Sequence, residues 1–553
     1  MYSPGGVREW IADDPDEECR AELEGLLDAA EAGDATAASE LDDRFSGFLQ
    51  FGTAGLRGAM AAGPFRMNRA VVRKAAAGLV AYLAQTAGPD ALVAVGYDAR
   101  HHSREFAEDT AAIVAAAGMR ARIMPRALPT PLLAYAVRRL DADAGVMVTA
   151  SHNPARDNGY KVYLGGRCAD EWGRGVQLIP PADARIAEAI AATPPAGRIA
   201  LADGYETIGE DLVDAYVRDC VAAVPPGPRD LSIVYTAMHG VGAQIMRRVF
   251  RDAGFARVIE VAEQCEPDPG FPTIAFPNPE EPGAIDMALA LAGRTGADLV
   301  VANDPDADRC AVAAVVDDRW RMLTGDELGL LLADHMIRRG AKGVLASSVV
   351  SSGALAALAA ARGRDHVTTL TGFKWIGRVP DLAFGYEEAI GYCCDPGAVP
   401  DKDGLTAALM VLELAAGLRA EGLTLADRLD ELTAELGLHA TSQLAIRVSD
   451  LSLIADAMAR LRQNPPTSLL HAPVTYRDLA EGTSGLPPTD AVELSGDEVH
   501  VVVRPSGTEP KLKCYLEVRL TPERSRAGAA ARLAAEIRMM ALRGQMQSVL
   551  GLG

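Results

Sequence analysis

Cysteine is scarce in this sequence. Its 553 residues include eight cysteines, which are scattered apart from the adjacent pair Cys393 and Cys394, and no two of them form a CxxC pair. A small disulfide-stabilised domain needs a higher density of cysteines than this. The sequence therefore predicts reduced thiols in a cytoplasmic protein.

Positive charge is also in short supply. Lys and Arg together number 54 against 75 for Asp and Glu, which gives a net charge of −21 with neutral histidine. A surface this negative repels nucleic acids and anionic membranes, so we expect neither as a partner. An anionic substrate would need a local cluster of cations in a cleft.

Long apolar segments are missing as well. The N-terminus reaches Asp13 and Asp14 before any apolar stretch develops, so it lacks the basic start and hydrophobic centre of a signal peptide. The longest uncharged run, residues 343–361, is interrupted by serines and Gly353. It predicts a buried strand, a turn and an Ala-rich helix rather than a membrane span.

The segments that are present alternate between short apolar runs and Ala-rich helical stretches. Residues 91–100, 121–127 and 144–154 are β-type runs, and the same rhythm returns at 229–309 and 341–392. This alternation predicts an α/β fold. Several strands lead directly into polar or Gly-rich segments, and open α/β sheets bind ligands beyond the carboxyl ends of their strands.

The length implies about three to four domains. Residues 492–520 alternate like antiparallel strands, and an Ala/Arg-rich helix is expected over 523–548, which indicates a separate α+β domain. We expect three similar α/β domains, the first with N-terminal helices, and this last domain. The expected ranges are 1–200, 201–318, 319–440 and 441–553.

Ser151 stands in the motif TASHNP, just after the apolar run AGVMV. This places its hydroxyl at a strand end beside His152, where a nucleophile would be exposed. A serine-hydrolase elbow would read GxSxG, so acyl transfer is disfavoured. The alternative is a turn in which Ser151 and Asn153 bond to their own backbone.

Three aspartates follow the apolar run ADLVVAN. Asp304, Asp306 and Asp308 occupy every second position of DPDADR, and such side chains point to one side of an extended segment. Converging carboxylates suit Mg²⁺. A calcium hand fails because Arg309 stands at its glycine position. The alternative is a solvated acidic turn.

Two further segments carry side chains suited to ligand binding, one to an anion and one to sugar hydroxyls. RPSGTEPKLK (504–513) surrounds a glycine with hydroxyls and cations, as in an anion cradle, although it is not a nucleotide P-loop. FGYEEAIGY (384–392) offers two carboxylates between glycines, suited to sugar hydroxyls. A basic hairpin and a charged turn are the alternatives. HGVGAQI (239–245) lacks the third glycine of a dinucleotide fingerprint, so NAD is not expected.

Together these segments resemble the α-D-phosphohexomutase superfamily, which includes phosphoglucomutases and phosphomannomutases. Four family elements occur in order over almost the whole chain: TASHNP, DPDADR, GYEEAIG and RPSGTEPKLK. The resemblance implies a four-domain, heart-shaped architecture of three α/β domains with mixed sheets and a C-terminal α+β domain.

The resemblance also implies residue roles. Ser151 would be the phosphorylated serine and would hold Mg²⁺ together with Asp304, Asp306 and Asp308. The expected catalytic residues are Ser151, His152, Arg57 (in FGTAGLRG, 51–58), Lys161 and Arg309. The expected substrate-binding residues are Thr371, Gly372, Lys374, Glu387, Glu388, Arg504, Ser506, Gly507, Thr508 and Lys513.

By resemblance, the reaction interconverts glucose 1-phosphate and glucose 6-phosphate through glucose 1,6-bisphosphate, in a monomer or homodimer. TGFKWIG (371–377) resembles the loop of glucose-specific enzymes, whereas Ala389 replaces a common serine of the sugar loop. A phosphopentomutase and a phosphomannomutase are the alternatives. A haloacid-dehalogenase phosphatase is disfavoured because Asp308 stands where Thr or Val is expected, and a non-catalytic sensor should lack the serine or the carboxylates.

Overall fold

A computed structural model of the protein describes residues 2–50, 55–448, 452–483, 485–506, 511–526 and 528–551. Within these residues the larger sheets have seven, five, four and five strands, in chain order. Helices alternate with strands through the first three sheets, and the last sheet is antiparallel. The expected α/β class with a C-terminal α+β domain is confirmed.

The first domain combines N-terminal helices with a mixed sheet. Its elements are α1 (Pro4–Asp13), α2 (Glu17–Glu31), α3 (Ala35–Arg44), β1 (Leu56–Ala59), α4 (Arg69–Thr86), β2 (Leu92–Tyr97), α5 (Ser103–Ala116), β3 (Arg120–Ile123), α6 (Thr130–Arg139), β4 (Ala144–Val148), β5 (Asp157–Leu164), β6 (Val176–Gln177), α7 (Ala182–Ala191) and β7 (Glu206–Thr207). The strand order is β1-β5-β4-β2-β3-β7, with β6 beside β5. β7 lies past residue 200 and still pairs with β3 of this sheet.

The second domain has a five-stranded mixed sheet. Its elements are α8 (Glu210–Ala222), β8 (Ser232–Thr236), α9 (Gly242–Ala253), β9 (Arg257–Glu260), α10 (Asp286–Thr295), β10 (Leu299–Asn303), β11 (Cys310–Val316) and β12 (Arg319–Met322). The order is β12-β11-β10-β8-β9. β8 is parallel to both β9 and β10, whereas β11 turns back antiparallel to β10. The loop between β10 and β11 is therefore a tight reversal at a strand end.

The third domain has a four-stranded sheet covered by helices. Its elements are α11 (Gly325–Arg338), β13 (Val344–Ser348), α12 (Ala354–Ala361), β14 (His366–Thr369), α13 (Phe373–Ile376), β15 (Leu382–Glu387), β16 (Gly391–Cys393), α14 (Gly404–Ala420) and α15 (Leu425–Leu436). The order is β14-β13-β15-β16. β13 and α12 confirm the strand, turn and helix expected for residues 343–361.

The fourth domain is an antiparallel sheet with helices packed against it. Its elements are β17 (Leu438–Arg447), α16 (Ser452–Gln463), β18 (Ser468–Leu469), β19 (Ala472–Pro473), β20 (Thr475–Asp478), β21 (Val492–Ser495), β22 (Val499–Pro505), β23 (Lys511–Leu520), α17 (Pro522–Ser525) and α18 (Ala529–Leu550). The main order is β17-β23-β22-β21-β20. β22 and β23 flank the phosphate-loop motif.

Buried strands lead to the functional loops. Every residue of β2, β4 and β10 is buried, which explains their uninterrupted apolar sequences, because helices cover both faces of these sheets. β4 leads to Ser151, β10 leads to Asp304 and β15 ends at Glu387. The expected position of the motifs at strand ends is confirmed.

Apolar packing joins the domains. One hydrophobic cluster includes Leu133 of α6, Ile245 of α9 and Leu409 of α14, and so spans the first three domains. Val350 of the third domain packs near Tyr515 of the fourth. The eight cysteines are free thiols, as expected. No helix in the described part of the chain is long and apolar enough to cross a membrane.

Candidate active site

Ser151 lies in the loop after β4, in a left-handed conformation with φ of 52°. The guanidinium of Arg100 donates hydrogen bonds of 2.6 Å to the carbonyl oxygens of both Ser151 and Asn153 and so holds this loop. The Ser151 hydroxyl donates a hydrogen bond of 2.7 Å to Asp304 of the second domain. Ser151 is 2% exposed, so the expected strand-end position holds but the expected exposure does not, because the second domain covers the loop.

The three aspartates of the β10–β11 loop converge. Asp304, Asp306 and Asp308 are at most 1% exposed, and one oxygen from each lies within 4.8 Å of the others. Oδ1 of Asp306 and Oδ1 of Asp308 are buried and accept no hydrogen bond from the described residues. Buried carboxylate oxygens without hydrogen-bond donors are suitable ligands for a hard divalent cation such as Mg²⁺.

Protein cations surround the carboxylates. Nζ of Lys161 lies 2.8 Å from Oδ2 of Asp306 and 3.1 Å from Oδ2 of Asp308. Nζ of Lys402 lies 3.2 Å from the same oxygen of Asp308. Nε of Arg309 is 3.8 Å from Asp308 Oδ1. These cations form the local positive cluster that an anionic substrate needs in an acidic protein.

Burial and mutual repulsion shift the proton affinities of the cluster. Burial, followed by the charges of Asp306 and Asp308, raises the pKa of Asp304 well above its usual range. Burial opposes ionisation of Asp306 too, but Lys161 outweighs it and holds the pKa of Asp306 below its usual range. The protein cations therefore neutralise part of the negative charge of the three carboxylates. The raised pKa of Asp304 shows that repulsion between the carboxylates is not fully offset.

His152 and Arg57 also lie near the serine loop, within electrostatic range of Asp306 and Arg309. Nδ1 of His152 is 3.3 Å from the Ser151 hydroxyl oxygen. Burial, with repulsion from Arg309 and Arg57, lowers the pKa of His152 well below its usual value, so its ring is neutral at pH 7. Arg57 donates a hydrogen bond of 3.0 Å to Asn153 Oδ1. β1 carries Arg57 beside β5, the strand that carries Lys161.

The sugar-loop carboxylates face two different partners. Oε1 of Glu387 accepts a hydrogen bond of 2.6 Å from the backbone of Gly372, which follows Thr371 and has φ of 107°. Oε2 of Glu388 accepts bonds of 3.1 Å from the hydroxyls of Ser348 and Ser351. The structure thus brings the predicted residues Thr371, Gly372, Glu387 and Glu388 together.

Lys374 makes no hydrogen bond or ion pair with this group within the described residues, although its Cγ lies 3.6 Å from the point where a Cβ on Gly372 would stand. Its ammonium lies 6.0 Å from the ring centroid of its neighbour Trp375. Burial lowers its pKa, and Asp183 of α7 is the nearby acid that opposes this shift. Its role in sugar binding stays a prediction.

The phosphate-loop motif lies between β22 and β23. Arg504 and Lys513 are opposite each other in the two strands, and the amide of Ser506 donates a 2.8 Å hydrogen bond to the carbonyl oxygen of Lys511. Gly507 and Thr508 lie outside the described residues. Burial and then Glu388 raise the pKa of Tyr515 on β23, whereas Arg504 lowers it, so the motif lies near the sugar loop.

Two cations link the serine centre to the sugar loop. Burial raises the pKa of Glu387, and Lys402 and Arg309 oppose this shift. The amide of Cys310, just after Arg309, donates a 3.1 Å hydrogen bond to the carbonyl oxygen of Ile390 in the sugar loop. The metal loop and the sugar loop are thus held side by side.

Sequence reasoning missed three residues of this site. Lys402 stands between Asp401 and Asp403, where it looks like part of a charged turn before α14. Thr130 donates a 2.6 Å hydrogen bond to Asp306 from the start of α6. Arg100 follows β2, so the strand-end rule could have identified it. Nothing in the sequence near Thr130 or Lys402 identifies its partner.

Family models match this chain in four consecutive segments. They are phosphoglucomutase/phosphomannomutase α/β/α domain I at residues 49–195, domain II at 212–316, domain III at 324–436 and the C-terminal domain at 444–538. Each matched segment lies inside one of the four ranges expected from the sequence.

Individual proteins are similar over most of the chain. A Haemophilus influenzae protein named "Probable phosphomannomutase" is 44% identical over 460 residues, covering 82% of this chain and 93% of its own. The human phosphopentomutase is 34% identical over 543 residues, covering 88% and 87%. A solved structure of a putative phosphomannomutase from Thermus thermophilus has a TM-score of 0.68 and 26% identity, covering 89% and 99%.

Proposed function

The chain belongs to the phosphoglucomutase/phosphomannomutase family and is a phosphosugar mutase, an intramolecular phosphotransferase; on this premise we propose that it interconverts a pentose 1-phosphate and the pentose 5-phosphate. The phosphoryl carrier is Ser151, and the intermediate is the sugar bisphosphate, which also serves as activator. Glucose 1-phosphate, favoured by the TGFKWIG loop, is the second candidate substrate.

The contact between Ser151 and Asp304 carries the assignment of the phosphoryl carrier. The Ser151 hydroxyl lies 2.7 Å from the carboxylate of Asp304, which is one of three buried, converging aspartates with several cations around them. A hydroxyl in this place can carry a phosphoryl group whose charge is neutralised on all sides. The alternative of a turn serine bonded to its own backbone does not account for this contact between domains.

Mg²⁺ fits the oxygens of Asp304, Asp306 and Asp308 with Ser151. When bound, the ion supplies charge neutralisation to the phosphoryl group on the serine. Lys161, Arg309 and Lys402 contribute fixed positive charge at the same place. Burial disfavours the charged form of Lys161, but Asp306 and Asp308 outweigh it and raise the pKa of Lys161, so its ammonium stays charged at neutral pH.

His152 contacts the Ser151 hydroxyl, and Arg57 contacts Asn153 in the same loop. The neutral ring of His152 keeps a nitrogen lone pair available at pH 7, which suits acceptance of a proton during phosphoryl transfer. Arg57 is proposed to bind phosphoryl oxygens. Its bond to Asn153 Oδ1 holds one end of its guanidinium.

The remaining residues are proposed to orient the sugar phosphate. Glu387 would accept hydrogen bonds from sugar hydroxyls, with its orientation fixed by Gly372. Arg504, Ser506, Gly507, Thr508 and Lys513 would hold the phosphate that is not reacting. Because the reaction exchanges the two phosphates of the bisphosphate, this cradle must accept either end of the intermediate.

Two observations support a pentose. Ala389 presents a methyl group where many family members present a serine hydroxyl, so the sugar loop offers one fewer hydrogen bond. A pentose phosphate has one fewer hydroxyl to be bound than a glucose phosphate. The similarity to the human phosphopentomutase over 88% of this chain points the same way.

The test compares kcat/KM for ribose 1-phosphate, glucose 1-phosphate and mannose 1-phosphate, with Mg²⁺ and the matching bisphosphate. We expect ribose to be preferred, and all activities to disappear in Ser151→Ala. Ala389→Ser should shift the ratio towards glucose by roughly tenfold, the worth of one good hydrogen bond. A preference for glucose or mannose in the natural chain would refute the pentose assignment, whereas activity that survives Ser151→Ala would refute the phosphoserine mechanism.

A further inference from the structure

The long C-terminal helix α18 has two apolar faces. Its inner face packs against the sheet of the fourth domain through Ala531, Ala535, Met539, Leu542, Met546 and Leu550. Its outer face leaves Leu533, Ile537 and Met540 exposed by 58%, 55% and 65%. These three are the most exposed large apolar side chains among the described residues, and they lie on one helix. Large exposed apolar patches of this kind mark interaction surfaces.

The outer face follows a seven-residue repeat. The exposed apolar positions that repeat are Ala530, Leu533, Ala534, Ile537, Met540 and Ala541. This is the spacing of a helix that packs lengthwise against another helix. No charged residue occurs among these positions, whereas Glu536 and Arg543 lie along one border of the stripe. The pattern therefore has an apolar seam with a charged edge.

We propose that this outer face binds the same face of a second copy of the chain, antiparallel and around a two-fold axis. A two-fold contact requires one surface to complement itself. In an antiparallel pair, Ile537 of one copy packs against Met540 of the other, twice by symmetry. Leu533 of one copy then lies beside Gly544 of the other, where the missing side chain gives it room.

Charge supports this register. The alignment that pairs Ile537 with Met540 also places Glu536 of each copy beside Arg543 of the other, so two ion pairs form along one edge. Along the other edge, Ala534 lies against Ala541, which lets the helices approach closely. Glu536 makes no ion pair among the described residues of its own chain, so it is available. A parallel pair would place Glu536 beside an alanine and would gain no ion pair.

The size of the contact sets its strength. Stable protein interfaces bury about 1,200–2,000 Å² in total, whereas the proposed contact uses the exposed side chains of one helix from each copy. We therefore expect a reversible dimer whose fraction rises with protein concentration. The site residues described above lie on other elements, so dimer formation does not require them.

Sedimentation velocity of the full chain over a range of concentrations tests the surface. We expect a concentration-dependent dimer, which Ile537→Lys converts to a monomer while mutase activity per chain is retained. Leu201→Lys is the matched control, because Leu201 is 44% exposed in a different part of the chain, and it should leave the dimer intact. A natural chain that stays monomeric up to its solubility limit overturns the proposal, as does an Ile537→Lys variant that dimerises like the natural chain.

Charge exchange tests the antiparallel register. Glu536→Arg should weaken the dimer about tenfold or more, because two attractions become two repulsions. Arg543 also donates a hydrogen bond to Ser442 in its own chain, so Arg543→Glu is first checked for an unchanged unfolding temperature. Glu536→Arg combined with Arg543→Glu should restore the dimer. A double variant as weak as Glu536→Arg alone would exclude this register.

Discussion

The hydroxyl of Ser151 donates a hydrogen bond to the carboxylate of Asp304, although the two residues are 153 positions apart in the sequence. Ser151 follows β4 of the first domain and Asp304 follows β10 of the second. The bond therefore exists only when the carboxyl ends of two separate sheets face each other. Packing between domains, rather than either domain alone, assembles the reaction centre.

Replacing Ser151 by alanine should lower kcat by about a thousandfold or more, because the phosphoryl group then has no carrier. Transfer of ³²P from labelled sugar bisphosphate to the protein measures the same step directly. Ser46→Ala, at an exposed serine near the end of α3, should keep both activity and label. Label on the Ser151→Ala protein would show that another residue is the carrier.

Replacing Lys402 by methionine should lower kcat by about 10²–10³-fold with little change in unfolding temperature. Its ammonium lies 3.2 Å from Asp308 and also acts on Glu387, so its loss removes charge from both the metal loop and the sugar loop. Lys342→Met, at an exposed lysine of the third domain, is the control and should be fully active. An active Lys402→Met enzyme would leave this lysine with a structural role alone.

Mg²⁺ should raise the unfolding temperature, since a ligand that binds the folded state stabilises it by about 2.7 kcal/mol at a hundred times its dissociation constant. Asp306→Asn removes one of the converging carboxylates and should abolish this shift as well as the activity. Asp318→Asn, at an exposed aspartate of the same domain, should keep both. Calorimetric scans with Mg²⁺ and with a chelator measure the effect, and a shift that survives in Asp306→Asn would place the ion elsewhere.

Glu517 of the fourth domain should stabilise the contact with the third domain, by an amount that depends on pH. Its buried carboxylate accepts hydrogen bonds of 2.7 Å from the Ser352 hydroxyl, 2.8 Å from the Gly353 amide and 2.9 Å from His439. Burial favours its protonated form, but His439 and then Arg519 outweigh burial and hold the pKa of Glu517 well below its usual range. Because the pKa of Glu517 is lower in the folded state than in the unfolded chain, its ionisation stabilises the fold. This stabilisation is complete only at pH values at which the glutamate is also ionised in the unfolded chain.

The stabilisation by Glu517 is therefore complete above pH about 4.3 and is lost as the pH falls towards the folded-state pKa. Glu517→Gln should cost about 1–3 kcal/mol of unfolding free energy at pH 7. The difference from the natural chain should shrink below pH about 4. Thermal unfolding at a series of pH values measures it, with the exposed Glu481→Gln as control. A difference that stays constant with pH would contradict this account of the charge.

Much of the fold could be predicted from local patterns. The uninterrupted apolar sequences of β4 and β10 predict strands that are covered on both faces, and the polar residues after them predict a site at the strand ends. Ser151 and Asp304 can be predicted in this way. Lys402 cannot, because a lysine between two aspartates before a helix resembles any charged turn.

Lys374 belongs to a motif that predicts sugar binding, and this role stays a prediction. Its ammonium lies 6.0 Å from the ring centroid of Trp375, and Asp183 of the first domain opposes the lowering of its pKa by burial. A sequence motif gives only the residue type at each position. The direction of a long side chain depends on the neighbouring elements, and these come from distant parts of the chain.

Local sequence patterns are enough to predict the α/β class and the order of the functional loops, and they give the residue types of the serine, the aspartates and the cations. These follow from hydrophobic periodicity and from residue types, which are local properties. Three features emerge only when the domains pack: Ser151 is buried against Asp304, Lys402 and Thr130 contact the aspartates, and α18 keeps an apolar outer face. Contacts and exposure of this kind depend on how the domains pack, and packing depends on complementary surfaces that no single segment of the sequence contains.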